Sequence, residues 1–243
     1  MPAVATTSHL PRISAPSGTG IVRVKIQSVL TNRPAVLVAI TAGLAAVSVA
    51  FMSDAGAEDR RAEDAPIRVA TAVFAGGCFE CVEADLDSIS GVIETVPGYT
   101  GGTLEHPKHK QVISGDTGHF SAVKVTYDPS QVSYDELAEK FIRSIDPTDG
   151  DGQFCDRGES YRSAIFVSGR SERNAAVSIV SGAQRTLGKD VVTEIRQLTT
   201  FWPAEDQYQD YYLKNASKYA GQREACGRDQ RIAEIWGNEG PAL

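Results

Sequence analysis

The stretch Phe74-Ala75-Gly76-Gly77-Cys78-Phe79-Glu80-Cys81 constrains this chain more than any other. Before it, the apolar run Ala70 to Phe74 reads as a buried strand; after the two glycines, Cys78 opens a helical pattern. Phe79, Val82, Leu86 and Ile89 recur three or four residues apart, which puts them on one helix face. A strand–turn–helix unit of this kind sets Cys78 at a helix N-terminus, where unpaired N–H groups and the helix dipole favour an anion. A thiolate is an anion, so the position suits a reactive cysteine. The competing reading is a buried structural cysteine, since a free thiol also packs as a small hydrophobe.

The first 57 residues differ from the rest. Arg12, Arg23, Lys25 and Arg33 form a basic lead, Ala35 to Met52 is almost wholly apolar, and Ala55-Gly56-Ala57 is a small-x-small site. That is the order of a secretory signal peptide. The apolar run is also long enough to span a bilayer, because about 18 apolar residues suffice. Residues 1–57 are therefore a cleaved signal peptide or an uncleaved N-terminal anchor, 58–69 a flexible charged leader, and 70–243 the working domain. The basic flank keeps the N-terminus inside and sends the rest out. The expected location is the periplasm, free or membrane-anchored, with the anchor as the only contact with a membrane. Beyond Ala57 the chain carries 20 Lys/Arg against 30 Asp/Glu. A balance that acidic excludes a nucleic-acid partner, which requires a basic face.

All four cysteines, Cys78, Cys81, Cys155 and Cys226, lie in the exported part, where disulfides are permitted. A single C-x-x-C without a second pair is no zinc site, and the acidic loop Asp146 to Asp151 lacks the alternation and terminal Glu of a calcium loop. No metal and no cofactor is expected. Downstream, the pattern gives a strand at 91–96, a glycine-rich loop at 97–102 running on through His106 to Lys110, and a strand at 122–127. A capping box, Ser133-x-x-Glu136, opens a helix. A long acidic loop spans 146–160 and a strand 161–167. A helix at 171–187 is stopped by Gly188; a strand at 191–198 and a helix at 203–215 follow. The tail from Lys218 is polar and carries Cys226 before a last short helix. Interleaved strands and helices make the fold class α+β.

Seven stretches taken together resemble the A-type peptide methionine sulfoxide reductases: AVFAGGCF at 72–79, GVIETVPGYTGG at 91–102, SGDTGH at 114–119, VTYDPSQVSYDEL at 125–137, DPTDGDGQFCDRGESYRSAIF at 146–166, FWPAEDQYQDYY at 201–212 and CGRDQRIAEIWG at 226–237. The resemblance implies a ferredoxin-like two-layer core with an irregular C-terminal tail. It implies thiol-dependent reduction of the S-epimer of methionine sulfoxide, free or in proteins. Cys78 would attack the sulfoxide sulfur and Phe79 would wall the methyl pocket. Tyr99 and Tyr161 would donate hydrogen bonds to the oxygen, Asp156 would position substrate and water, and Cys226 would resolve the sulfenic acid as a disulfide. A thioredoxin-like protein would restore the dithiol. The residue types suit the chemistry. A sulfoxide accepts a thiolate only when its oxygen is protonated or strongly hydrogen-bonded, in a site that excludes bulk water.

Three positions depart from the family pattern. Glu80 stands where the family has a Trp as the other wall of the methyl pocket, and a carboxylate there raises the pKa of a neighbouring thiol. Gln111 aligns with the family's acid and cannot supply a proton. Tyr208 replaces a His. Two further readings stay open. Cys78-x-x-Cys81 has the spacing of a thiol–disulfide oxidoreductase, although the family often carries a Cys at position 81 without a redox role. With Glu80 and Gln111, the chain could also bind oxidised methionine without turning it over. Cys155 reads as a neighbour of the site that could compete as the resolving thiol, and Tyr208, Tyr211 and Tyr212 as packing aromatics. Exported protein is predicted to begin near Glu58. Intact-mass measurement checks this; a full-length mass in the membrane fraction would indicate the anchor instead.

Overall fold

The computed structural model describes residues 68–237. The segment read as signal peptide or anchor, most of the leader and residues 238–243 lie outside them. No helix among the described residues is long and apolar enough to cross a membrane.

The elements run β1 (Ala70–Gly76), α1 (Phe79–Asp87), β2 (Val92–Thr100), α2 (His109–Ile113), β3 (Phe120–Tyr127) and α3 (Tyr134–Arg143). A small hairpin of β4 (Gly152–Gln153) and β5 (Asp156–Arg157) follows, then β6 (Ser163–Val167), α4 (Arg170–Leu187), β7 (Glu194–Gln197) and β8 (Trp202–Pro203). Three helices close the described chain: α5 (Tyr211–Lys214), α6 (Ala216–Cys226) and α7 (Arg228–Trp236). The main sheet has the order β7-β6-β1-β3-β2-β8. Neighbours are antiparallel except β6 and β7, which run parallel.

Alternation along β1 decides the two faces. Ala72 and Phe74 join Val82, Leu86, Leu137, Phe141, Ile142 and Ala176 in one core, so α1, α3 and α4 pack on the same side of the sheet. Val73 and Ala75 point the other way, into a smaller cluster with Phe120, Ala122, Ala164 and Phe166. Phe74 stacks on Phe141 with ring centroids 4.7 Å apart. Each fully buried Leu or Phe contributes roughly 1.5–3 kcal/mol relative to exposure, so this face carries most of the stability. The capping box is present: Glu136 N–H donates to Ser133 Oγ at 3.2 Å and Ser133 N–H to Glu136 Oε2 at 2.9 Å.

Several local expectations are corrected. The second strand continues through Pro97 and Gly98 to Thr100. Proline is tolerated because its carbonyl faces the β8 side, where it accepts from Ala204 N–H at 2.9 Å. The missing N–H therefore faces away from β3, and the β2–β3 ladder loses nothing. Gly98 lets β8 approach; a Cβ there would lie 2.4 Å from the Trp202 carbonyl oxygen. The helix expected over 203–215 breaks into β8, a single 3-10 turn (Asp206–Tyr208) and the one-turn α5. Gln209 Nε2 donates to the Pro97 and Ala204 carbonyls, pinning this segment to β2 instead. The short helix expected at the end of the tail is α7, but the polar stretch before it is not irregular: it is the helix α6, joined to α7 at Gly227, whose φ is 67°.

One buried cation ties those helices down. Arg228, 1 % exposed, donates to Asp85 Oδ2 at 3.0 Å, to the Ser144 carbonyl at 2.8 Å and to the Gly76 carbonyl at 3.4 Å. Arg223 reaches the other Asp85 oxygen at 2.8 Å. Removing one member of a buried charge pair is strongly destabilising because its partner stays behind unpaired. Arg223 would still cover part of Asp85, so Arg228→Met is predicted to cost about 3 kcal/mol, the low end of that range, read as a drop in urea midpoint at fixed redox state.

Candidate active site

Cys78 caps α1, as its place after the glycine pair implies. Its sulfur accepts from the Cys81 N–H at 3.3 Å. Gly77 has φ of 85°, and a Cβ on it would come within 2.5 Å of Gln153, so the turn that delivers Cys78 requires glycine. One helical turn on, Cys81 donates its S–H to Cys78 Sγ at 2.7 Å; both are free thiols. On the other side, Cys78 Sγ donates to Glu80 Oε2 at 3.2 Å.

These groups border a cavity of about 590 Å³ with Phe79, Asp156, Tyr161, Tyr208, Cys155 and Cys226. Phe79 is fully buried and forms its apolar floor. Tyr208 packs against Phe79 at 5.6 Å and against His109 at 4.5 Å, so it is a cavity wall. The sequence reads Tyr208 as a packing aromatic; the 3-10 turn Asp206–Tyr208 brings it to the cavity. Tyr161 and Asp156 come from the acidic loop, which the β4–β5 hairpin and a 3-10 turn (Glu159–Tyr161) fold back over Cys78.

Two expected residues stand elsewhere. Tyr99 is wholly buried behind Phe79 and donates to Glu205 Oε2 at 3.1 Å. Gln111 is exposed and accepts from the Lys108 N–H at 2.9 Å, capping α2. Neither lines the cavity. Cys155 is not a bystander: it forms a disulfide with Cys226 on the cavity wall. Cys226 is the last residue of α6. Sequence spacing offered no signal for that pair, because 71 residues separate its halves.

The electrostatics follow from crowding. The hydrogen bond with Cys81 holds the Cys78 thiol well above its ordinary range, and burial and the charges of Cys81, Glu80 and Asp156 push it further. Cys81 is drawn down, first by that same hydrogen bond and then, against burial, by Arg228 and Arg223. Desolvation raises both Glu80 and Asp156; the hydrogen bond from Cys78 opposes it at Glu80, and Arg228 and Arg157 oppose it at Asp156. Burial lifts Tyr161 to about 12, which keeps its hydroxyl a donor. Cys155, Asp156 and Cys226 present ligand atoms within 4.8 Å of one another. Both sulfurs are spent in the disulfide, so this trio has no thiolate to offer a metal.

Fold and site together define a cysteine-based redox protein: a helix-capping thiol in a half-closed cavity, with a second thiol and a disulfide on its walls. The model of the peptide methionine sulfoxide reductase family matches residues 70–240. The chain belongs to that family. It is 44% identical over 167 residues to peptide methionine sulfoxide reductase MsrA 2 of Caulobacter vibrioides, covering 69% of this chain and 85% of that protein. It is 41% identical over 197 residues to the MsrA/MsrB protein of Vibrio cholerae, covering 80% of this chain and 52% of that one, so it spans about half the length of that relative. Among solved structures, methionine sulfoxide reductase A of Corynebacterium diphtheriae superposes with a TM-score of 0.59 at 33% identity, covering 63% of this chain and 77% of that one.

Beneath the cavity, Glu83 is fully buried. Its Oε1 accepts from the Asp210 N–H at 2.9 Å, and Oε2 has no hydrogen-bond partner among the described residues. Desolvation raises this carboxyl to about 7, from 4.5. The folded state therefore keeps a proton that the unfolded chain releases between these values, so this contribution to stability is full below pH 4.5 and lost as pH rises through 7. Glu83→Gln is predicted to abolish that loss. Its urea midpoint should match the wild type at low pH and exceed it at pH 8; a parallel pH dependence in both proteins would contradict the assignment.

Proposed function

We propose that this chain reduces the S-epimer of methionine sulfoxide to methionine, free or in proteins, with Cys78 as nucleophile. The observation that carries the reading is the Cys78 thiol at the N-cap of α1, facing a cavity with an apolar floor at Phe79 and a hydroxyl donor at Tyr161. Phe79 suits the substrate methyl group, and Tyr161 suits the sulfoxide oxygen. The core is read as ferredoxin-like, because β1-α1-β2-β3-α3-β6 form a β-α-β-β-α-β series with sheet order β6-β1-β3-β2.

Attack on the sulfoxide leaves Cys78 as a sulfenic acid and releases methionine. Cys226 condenses with it, losing water, and Cys155 then attacks the Cys226 sulfur and frees Cys78. The Cys155–Cys226 disulfide is the product of that exchange. Cys155 is exposed, so a thioredoxin-like dithiol can reach it. Working outside the cytoplasm, the enzyme would repair oxidised exported proteins. A second reading is favoured by the 2.7 Å contact between Cys81 and Cys78: Cys81 captures the sulfenic acid first.

A turnover assay on both epimers, with dithiothreitol and separately with thioredoxin, tests these claims. Wild type is expected to act on the S-epimer alone, and Cys78→Ser to lose all reduction. Cys226→Ser should release one equivalent of methionine per chain and stall with thioredoxin, its sulfenic acid trapped on Cys78 by dimedone. A stall at Cys81→Ser, with Cys226→Ser fully active, would establish the second reading. Reduction of disulfides alone would mean a thiol–disulfide oxidoreductase, and tight sulfoxide binding without methionine release a binding protein.

A further inference from the structure

Glu80 sits inside the cavity against the reacting sulfur, and the cycle described so far gives it no task. Its place on the first turn of α1 fixes its backbone, and its carboxylate accepts the Cys78 S–H rather than turning to solvent. Of the other groups expected at the oxygen, Gln111 is occupied at the cap of α2 and Tyr99 on Glu205, while Tyr161 lines the cavity with a raised pKa that keeps its proton on its own hydroxyl. Asp156 also borders the cavity, but it has no hydrogen bond to the sulfur and feels the opposing charges of Arg228 and Arg157.

We propose that Glu80 is the proton shuttle of the reaction: it takes the Cys78 S–H proton as the sulfur attacks, and returns that proton to the sulfoxide oxygen. The inference rests on the sulfoxide-reductase reading of the site. As the proton moves to the carboxylate, a Cys78 Sγ electron pair bonds to the substrate sulfur. Glu80 then protonates the oxygen. The oxygen passes as hydroxyl to Cys78 Sγ while the bond between the two sulfurs breaks, its electron pair returning to the substrate. The thiol is oxidised by two electrons to the sulfenic acid, and the sulfoxide is reduced by two to the thioether. The proton starts on the Cys78 thiol and ends on the sulfenic hydroxyl, so the step draws nothing from solvent.

The surroundings fit this task. The Cys78 thiol is held up, so a standing thiolate is disfavoured and a base at the sulfur must act during the step. Burial raises the Glu80 carboxyl, which narrows the gap between its proton affinity and that of the thiol and makes its carboxylate a better base towards the S–H. A carboxylate that hinders the thiol at rest thereby becomes the group that activates it in the presence of substrate.

The test compares wild type, Glu80→Gln and Glu80→Asp, each fully reduced and then freed of reductant, in one rapid-quench turnover with the S-epimer of free methionine sulfoxide. Iodoacetamide labelling of Cys78, located by peptide mass spectrometry, is measured in parallel. Glu80→Gln is expected to release methionine about 100-fold more slowly, the usual share of a positioned acid–base group. Its Cys78 should nevertheless be labelled at least as fast as in the wild type, because a nearby negative charge has gone. Glu80→Asp is expected to recover about a tenth or more of the wild-type rate. Reduction by Glu80→Gln at the wild-type rate would overturn the proposal, and so would a loss of reduction matched by an equal loss of labelling. Failure of the wild type itself to release methionine would overturn the sulfoxide reading beneath it, a result visible before any variant is compared.

Discussion

The Asp85 carboxylate is the point on which the site depends. It sits on α1, one turn beyond Cys81, and binds Arg223 of α6 and Arg228 of α7 at once. Those helices have little apolar surface of their own: no residue of α6 is buried, and α7 buries only Arg228, Ile232 and Trp236. A helix so polar is not held by hydrophobic burial. It is held by charges that cannot leave Asp85 without becoming unpaired in a dry interior. Because Arg228 also binds the carbonyls of Gly76 and Ser144, the same ion fixes the end of β1, the end of α3 and the last turn of α1 relative to one another. Cys226 lies two residues before Arg228, so its place on the cavity wall follows from this one cluster.

The same cluster shapes the thiol chemistry. Arg223 and Arg228 lower Cys81 from one side, while Glu80 and Asp156 raise Cys78 from the other. Two thiols 2.7 Å apart cannot both ionise, and the field across the pair favours loss of the proton from Cys81, on the arginine side, over loss from Cys78. Cys78 thus holds its proton the more firmly of the two.

Departures from the family pattern have a common spatial logic. Glu80 brings a carboxylate to the Cys78 sulfur, Gln111 caps α2 outside the cavity, and Tyr208 furnishes an aromatic wall beside Phe79. Read singly in the sequence, Glu80 looks like a damaged apolar wall and Gln111 like a lost acid. In the structure the carboxylate at the sulfur is that of Glu80.

Local physics made much of this legible from the residues alone. The strand–glycine–helix unit at Cys78, the capping box at Ser133 and the glycine stop at Gly188 are short-range consequences of backbone geometry and hydrophobic period, and the structure bears each of them. What failed were segments whose conformation is imposed from a distance. Pro97 and Gly98 look like a turn until β3 and β8 pair with them; residues 203–215 look helical until Gln209 bonds across to β2; the polar tail looks irregular until two arginines find Asp85. For the site, residue type and local pattern single out Cys78, the family resemblance supplies Phe79, Glu80, Tyr161 and Asp156, and the structure brings the five to one cavity. The structure places Tyr99 and Gln111 outside that cavity, and neither the Cys155–Cys226 bond nor the contact of Glu80 with the sulfur is visible in the sequence. Such pairings join residues far apart in the chain, or depend on which of two rotamers a packed environment allows, and only the tertiary structure decides those.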